Sequence, residues 1–294
     1  MNKYSIIIKV YEAGSISKAA AQSSYSQSAV SQVIASVENE LGFPLFKRLK
    51  TGVVLTEEGK MILPAFQNIA REESNIRQMA LSITGICEGR ISIGAIPGVG
   101  RQWLPDIIKG FSVNYPKVSY DLVHGVAEEI QKELCGGRID CGLTTAFPVS
   151  HELKFTPLYE DEFIVLLPAG HFLADREEIG LSEVAGEPLI LPDSRLDSSL
   201  EDIFIRNHFT PNIYLRGRDE ISMLKMIENG LGIGVLSGLG IGGLPISDGV
   251  VCRRFQERYV RVVGISVRKN QKQPLLTDKF TEFAGTYIKK AAGC

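Results

Sequence analysis

The sequence has 294 residues, 44% hydrophobic and 22% charged, with a formal net charge of −2. The length suits two domains and the composition an ordinary soluble globular protein, while the charge balance shows no global basicity, so any affinity for nucleic acid has to be local. Three classes drop out: no apolar run is long enough to span a membrane, the opening MNKYSIIIKVYEAGS lacks the cleavage site of a signal peptide, and five cysteines (Cys87, Cys135, Cys141, Cys252, Cys294) without a CxxC pair fit free thiols in a reducing cytoplasm better than a disulfide framework.

The first informative stretch, SISKAAAQSSYSQSAVSQVIASVENELG (residues 15–42), has the composition of a linker but not its pattern. Val30, Val33, Ile34, Val37 and Leu41 fall on one helical face, with Ser26 placed to cap the start and Gly42 to stop the end. This predicts a helix over about 27–40. Upstream, Ser15 caps a shorter helix whose inner face is Ile16, Ala19 and Ala20. Two helices separated by a tight turn make a helix-turn-helix, in which the alanines allow a close crossing. Ser28, Ser31 and Gln32 then project from the polar face of the second helix, beside Gln27 at its N-terminus, where hydroxyls and amides can read base edges and phosphates. A plain helical hairpin with a solvated serine face is the bland alternative.

Downstream, FPLFKRLKTGVVLTEEG (residues 43–59) carries Lys47, Arg48 and Lys50 around a turn at Thr51-Gly52, followed by a short apolar strand from Val53 to Leu55. A basic hairpin beside such a helix suits a DNA-contacting wing. Ser15-Ile16-Ser17-Lys18-Ala19-Ala20, Ser26-Gln27-Ser28-Ala29-Val30-Ser31, Val37-Glu38-Asn39-Glu40-Leu41-Gly42-Phe43-Pro44-Leu45-Phe46-Lys47-Arg48 and Leu55-Thr56-Glu57-Glu58-Gly59 resemble, in order and spacing, the winged helix-turn-helix of the LysR-type transcriptional regulators. The resemblance implies DNA-binding roles for Ser17, Lys18, Ser26, Gln27, Ser28, Ser31, Gln32, Lys47, Arg48, Lys50 and Thr51. One departure stands out. Family members often carry a cation where this chain has Gln32, and no basic residue lies between Gln22 and Val37. Phosphate affinity is therefore expected from the wing cations, Lys18, the helix dipole and multiple subunits, with weak binding by an isolated N-terminal domain.

Residues 57–84 read as a helix with an apolar heptad stripe of Ile62, Phe66, Ile69, Ile76, Ala80 and Ile83, interrupted by Glu73. Pro64 is expected near the helix start, where proline is tolerated. The family pairs two subunits through this helix, which assigns Ile62, Phe66, Ile69, Ile76 and Ile83 to dimerisation and implies a near-palindromic DNA site.

Beyond Glu88 strands and helices alternate. Strands are expected at 91–95, 118–122, 138–143, 162–167, 189–192, 233–236 and 261–267. Helices are expected at about 101–114, 127–134, 223–229 and 280–288, with Pro97 to Gly100 as a loop. Such alternation means an α/β domain with a largely parallel sheet, whose ligands bind beyond strand carboxyl ends. Tyr115-Pro116, Gly137-Arg138-Ile139-Asp140, Pro168-Ala169-Gly170-His171-Phe172-Leu173 and Gly230-Leu231-Gly232-Ile233 resemble motifs of the same family's periplasmic-binding-protein-like effector domain. The expected fold is thus α/β (multidomain): a winged helix-turn-helix (1–60), a long linker helix (61–88) and a two-lobed α/β type 2 periplasmic-binding-protein-like domain (89–294). Lobe I is expected over about 89–161 and 268–294, and lobe II over about 162–267. The resemblance points to Pro97, Gly98, Val99, Gly100, Val126, Ala127, Glu128, Thr144, Thr145, Ser194, Arg195, Glu220 and Ser222 as effector-binding. Many members place hydroxyls where Gly98 and Ala127 stand here, which argues against a simple aromatic-acid or dicarboxylate effector, although Arg195 offers an anion partner.

Sharper alternatives fare worse. The run GLGIGVLSGLGIGG (230–243) lacks the third glycine of a dinucleotide fingerprint and reads as a helix end entering a buried strand. The four histidines show no metal spacing, and no Ser, Cys or His sits in a nucleophile motif. Cys135 and Cys141 as a redox switch is a minor alternative, because Cys141 falls on a buried strand. The expectation is a cytoplasmic regulator without catalytic residues, metal or cofactor. Its partners would be double-stranded DNA, a small-molecule effector, further copies of itself (dimer, then tetramer) and RNA polymerase, with no membrane involved. The competing reading is a solute-binding module or enzyme on the same fold, with the N-terminal helices used for assembly. DNA binding separates the two.

Overall fold

Polar caps and apolar helical spacing build the N-terminal part of the chain. The computed structural model describes residues 2–23, 25–49, 52–83, 88–146, 149–193, 199–269 and 273–291. It divides into two units, one built on Met1–Ile86 and the other on Cys87–Cys135 with Ile139–Cys294.

The first unit contains α1 (Lys3–Ala13), α2 (Ile16–Ala21), α3 (Gln27–Leu41), β1 (Phe46–Leu49), β2 (Gly52–Leu55) and α4 (Glu57–Ile83). The sequence reading had no counterpart to α1. Its run of isoleucines is β-branched and weakly helical, but the Asn2 side chain caps it by accepting from the Ser5 N–H at 2.8 Å, and Ile6, Ile7 and Val10 are buried. Ser15 caps α2 through the Lys18 N–H at 3.4 Å, and Ser26 caps α3 through the Ala29 N–H at 3.2 Å. Gly42 ends α3 in the left-handed region with φ of 80°. Val30, Ile34 and Val37 turn inward with Ala19 and Ala20, each large side chain contributing about 1.5–3 kcal/mol by burial. Glu38 secures the wing to α3, its carboxylate accepting from the Leu45 N–H at 2.7 Å and the Phe46 N–H at 3.2 Å.

The long helix starts at Glu57, where the 57–84 reading put it. Thr56 caps it, accepting from the Gly59 N–H at 2.9 Å, and Glu57 and Glu58 suit the positive end of the helix dipole. Pro64 consequently sits inside α4, beyond its first turn, and not near its start. Phe66 is only 3% exposed and stacks on Tyr4 at 4.9 Å, so α4 completes the winged core.

The second unit runs β3 (Gly89–Ala95), α5 (Pro97–Gln102), α6 (Leu104–Asn114), β4 (Val118–His124), α7 (Ala127–Cys135), β5 (Cys141–Thr145), β6 (Leu153–Pro168), β7 (Glu178–Ile179), α8 (Leu181–Gly186), β8 (Leu189–Pro192), α9 (Ser199–Arg206), β9 (Ile213–Gly217), α10 (Glu220–Glu228), β10 (Ile233–Ser237), α11 (Gly238–Ile241), β11 (Val250–Phe255), β12 (Val260–Arg268) and α12 (Leu275–Ala291). Pro97 to Gly100, expected as a loop, forms most of α5, because Pro97 at the first position has the right φ and needs no N–H partner. The strand expected at 138–143 begins at Cys141. Before it, Asp140 accepts from the Ser92 N–H at 2.7 Å.

The sheet order is β4-β3-β5-β12-β6-β10-β8-β9, with β11 pairing β6 and β7. Its flanks are parallel, but β12 runs antiparallel to β5 and β6, and β10 and β11 antiparallel to β6. The sheet is therefore mixed, since the chain crosses its centre outward on β6 and returns on β12. The 16 residues of β6 serve two cores. Leu158 and Tyr159 pack on the core of Phe111, Phe280 and Trp103, whereas Phe163, Val165 and Leu167 join Phe204, Leu189 and Val235.

Candidate functional site

In the winged unit, Gln27, Ser28 and Gln32 are exposed along α3 and Ser31 is half-buried. The same face continues through Ala35, Ser36 and Asn39, which the sequence reading did not single out, although they follow at helical spacing. The Ser26 hydroxyl is engaged in its cap and lies 2.9 Å from that of Ser28. Ser17 and Lys18 are exposed on α2, and Lys47 and Arg48 on β1, opposite Val54 and Val53 of β2. Lys50 and Thr51 lie outside the described residues.

Other cations of this unit are engaged: Lys3 with Glu40 at 2.5 Å, Lys60 with Glu57 at 2.8 Å and Arg77 with Glu73 at 2.6 Å. Lys18, Lys47 and Arg48 form no salt bridge among the described residues. The hydrogen bond from Lys60 holds the Glu57 carboxyl below its usual range, with Lys47 a lesser contributor.

The apolar stripe of α4 splits. Ile69, Ile76 and Ile83 are exposed, joined by Met61 and Met79. Ile62 and Phe66 instead pack into the winged core and are not available on the outer stripe. The winged core covers only the first part of α4, so Ile62 and Phe66 are packed against it while Ile69, Ile76 and Ile83 beyond are exposed.

In the second unit a cavity of about 90 Å³ opens at strand ends, with room for roughly six water-sized groups. Of the residues expected at the effector site, Pro97, Gly98, Val126, Thr145 and Glu220 line it. Val99 does not, being fully buried in the first core, and Gly100 turns its α-carbon toward His124. Thr144 does not either: alternation along β5 sends its buried side chain to the opposite face from Thr145. Ala127 is buried at the start of α7 and Glu128 is exposed beyond it, neither in the wall. Ser222 is also outside the wall; its hydroxyl and N–H bond the Asp219 carboxylate that caps α10 and is thereby held below its usual pKa. Ser194 and Arg195 lie outside the described residues.

The wall also contains residues the sequence did not point to, including Ile96, Phe163, Leu200, Arg218, Met223, Leu236, Ser237 and Arg261. At its base Arg261 on β12 donates to Asp161 on β6 at 2.9 Å and to Ser237 at 2.6 Å. Asp161 is fully buried, and its second oxygen accepts from the Leu239 N–H at 2.9 Å. Nearby, Arg101 donates to the carbonyls of Gly240 at 2.6 Å and Gly242 at 3.1 Å, and Gln102 to that of Leu239 at 2.8 Å, tying α5 to the α11 segment. The approach is so close that a Cβ at Gly98 would lie 2.5 Å from the Leu239 oxygen, which accounts for glycine at this position.

Burial, reinforced by Asp140, pushes the Cys141 thiol well above its usual range, and burial raises Cys252, so neither is a ready thiolate. No cluster of metal-ligating residues occurs among the described residues. None of the helices of the described residues is long and apolar enough to cross a membrane.

Residues 1–60 match the family model of the bacterial regulatory helix-turn-helix protein, lysR family, and residues 87–288 match that of the LysR substrate binding domain. The chain is 29% identical over 280 residues to the HTH-type transcriptional regulator YvbU of Bacillus subtilis, covering 95% of each chain. It is 31% identical over 216 residues to the HTH-type transcriptional regulator cbl of Escherichia coli, covering 72% of this chain and 68% of that protein. Among solved structures, full-length CbnR in complex with its target DNA superposes with a TM-score of 0.73 at 18% identity, covering 98% of this chain and 100% of CbnR. A full-length OxyR variant of Pseudomonas aeruginosa gives a TM-score of 0.72 at 21% identity, over 98% of this chain and 95% of that one. The chain belongs to the LysR family of DNA-binding transcriptional regulators, with an N-terminal helix-turn-helix domain and a C-terminal effector-binding domain.

Proposed function

We propose that this protein works in the cytoplasm as a homo-oligomer, two copies pairing through Ile69, Ile76, Ile83, Met61 and Met79 of α4. Residues 1–60 then serve as the DNA reader, 61–88 as the linker and 89–294 as the effector domain. Each reader lays α3 in a major groove, with Gln27, Ser28, Ser31 and Gln32 toward base edges, and Ser17, Lys18, Lys47 and Arg48 toward phosphates. Two-fold pairing makes the preferred site near-palindromic, and a pair of dimers occupies a promoter in reach of RNA polymerase. A small molecule in the 90 Å³ cavity biases the packing of the effector domains and, through it, the spacing or bending of the DNA.

One observation carries the DNA reading: the exposed polar face of α3 is flanked by Lys18, Lys47 and Arg48, which form no salt bridge among the described residues, while other cations of the unit are engaged. Full-length protein is used to select from a random duplex library. Enrichment of a two-fold symmetric sequence is expected. Selection that enriches nothing, or an unsymmetric site bound by one chain, overturns the reading.

A further inference from the structure

The charged groups around the effector-domain cavity are unequally matched. Arg261 is paired with Asp161 at 2.9 Å, and Arg218 with Asp193 at 3.1 Å. Glu220, half-buried at the first position of α10, lines the same cavity and has no hydrogen bond or ion pair among the described residues. Thr145 adds a hydroxyl that is 4% exposed and likewise without a hydrogen-bond partner among them. The remaining wall is largely apolar, with Phe163 and Leu200 as its larger groups.

An anion entering such a site meets guanidinium groups already neutralised and a carboxylate that repels it. A cation gains from the same carboxylate, and the apolar wall with its aromatic ring favours a cation on a small hydrocarbon body. We infer that the effector is a small primary amine, its ammonium paired with Glu220, its N–H accepted by Thr145 and its hydrocarbon part held by the apolar wall. This rests on the cavity being the effector site. The volume of about 90 Å³ suits a small amine of a few carbons.

Butylamine, butyrate and butanol each have four carbons, one of them in butyrate's carboxylate, and differ in head-group charge, so calorimetric titration of the full-length protein with each reports the charge preference. Butylamine is expected to bind once per chain, at least tenfold more tightly than butyrate. Glu220→Gln should weaken butylamine at least tenfold and far more than it weakens butanol, and Glu220→Asp should retain the preference. No butylamine binding, or binding indifferent to Glu220→Gln, overturns the inference. So does tighter butyrate binding, in which case loss of butyrate in Arg195→Gln identifies the competing anion site. The cavity reading is judged separately. Thr145→Leu fills the cavity, and if the response of DNA binding to a metabolite panel survives in that variant, the cavity is not the effector site.

Discussion

The winged unit and the effector-domain cavity treat their cations in opposite ways. Lys18, Lys47 and Arg48 stand exposed beside α3 without salt bridges among the described residues, whereas Arg261 and Arg218 of the cavity are each matched to a carboxylate. An exposed cation costs little to keep in water and gains by displacing counterions from DNA. Arg218 is exposed, but a cation as buried as Arg261 is costly unless a fixed charge compensates it. The contrast teaches that the reader keeps Lys18, Lys47 and Arg48 without a fixed partner, while the buried pair of Arg261 and Asp161 holds the fold together across β6 and β12.

The largest effect should come from unmatching the buried pair. Asp161→Ala leaves the Arg261 guanidinium and the Leu239 N–H without their partner and should cost about 3–5 kcal/mol in urea unfolding. A loss near zero would place the pair among charges that do not matter. Next, Phe66→Ala should cost about 3–4 kcal/mol of winged-unit stability by opening a cavity, while Ile76→Ala leaves that stability alone and weakens self-association in sedimentation. Equal effects on both readouts would erase the division drawn along α4. Smaller still, Gln27→Ala with Ser31→Ala should remove about 1–3 kcal/mol of discrimination between selected and scrambled duplexes, with nonspecific affinity retained. The smallest effect belongs to a single exposed cation. Lys47→Ala should weaken all sequences about threefold and lower the slope of log K against log salt by about 0.9. A sequence-selective loss would move Lys47 from phosphate to base edges.

Much of the reader was legible because its signals are local. Ser15, Ser26 and Gly42 act within one turn of themselves, and Val30, Ile34 and Val37 share a face because of helical pitch alone. Tertiary packing overrode local preference in α1, where β-branched isoleucines form a helix once their face is buried. Pro64 was misjudged and the start of α4 was not: Thr56 caps the helix at Glu57, which leaves Pro64 beyond the first turn, in the interior. In the effector domain the strand–helix rhythm was plain, but the length of β6 was not, since a strand serving two cores changes its pattern of burial midway.

The sequence by itself determined the helix-turn-helix, the exposed polar face of α3, the basic wing and the α/β alternation, because caps, pitch and pleat act over a few residues. Only the tertiary structure decided which end of the α4 stripe faces its own core, that Thr145 and not Thr144 reaches the cavity, and that Arg261 meets a carboxylate 100 positions earlier in the chain. Those outcomes depend on where the winged core ends along α4, on strand alternation and on pairing between β6 and β12, which bring together residues that no local pattern connects.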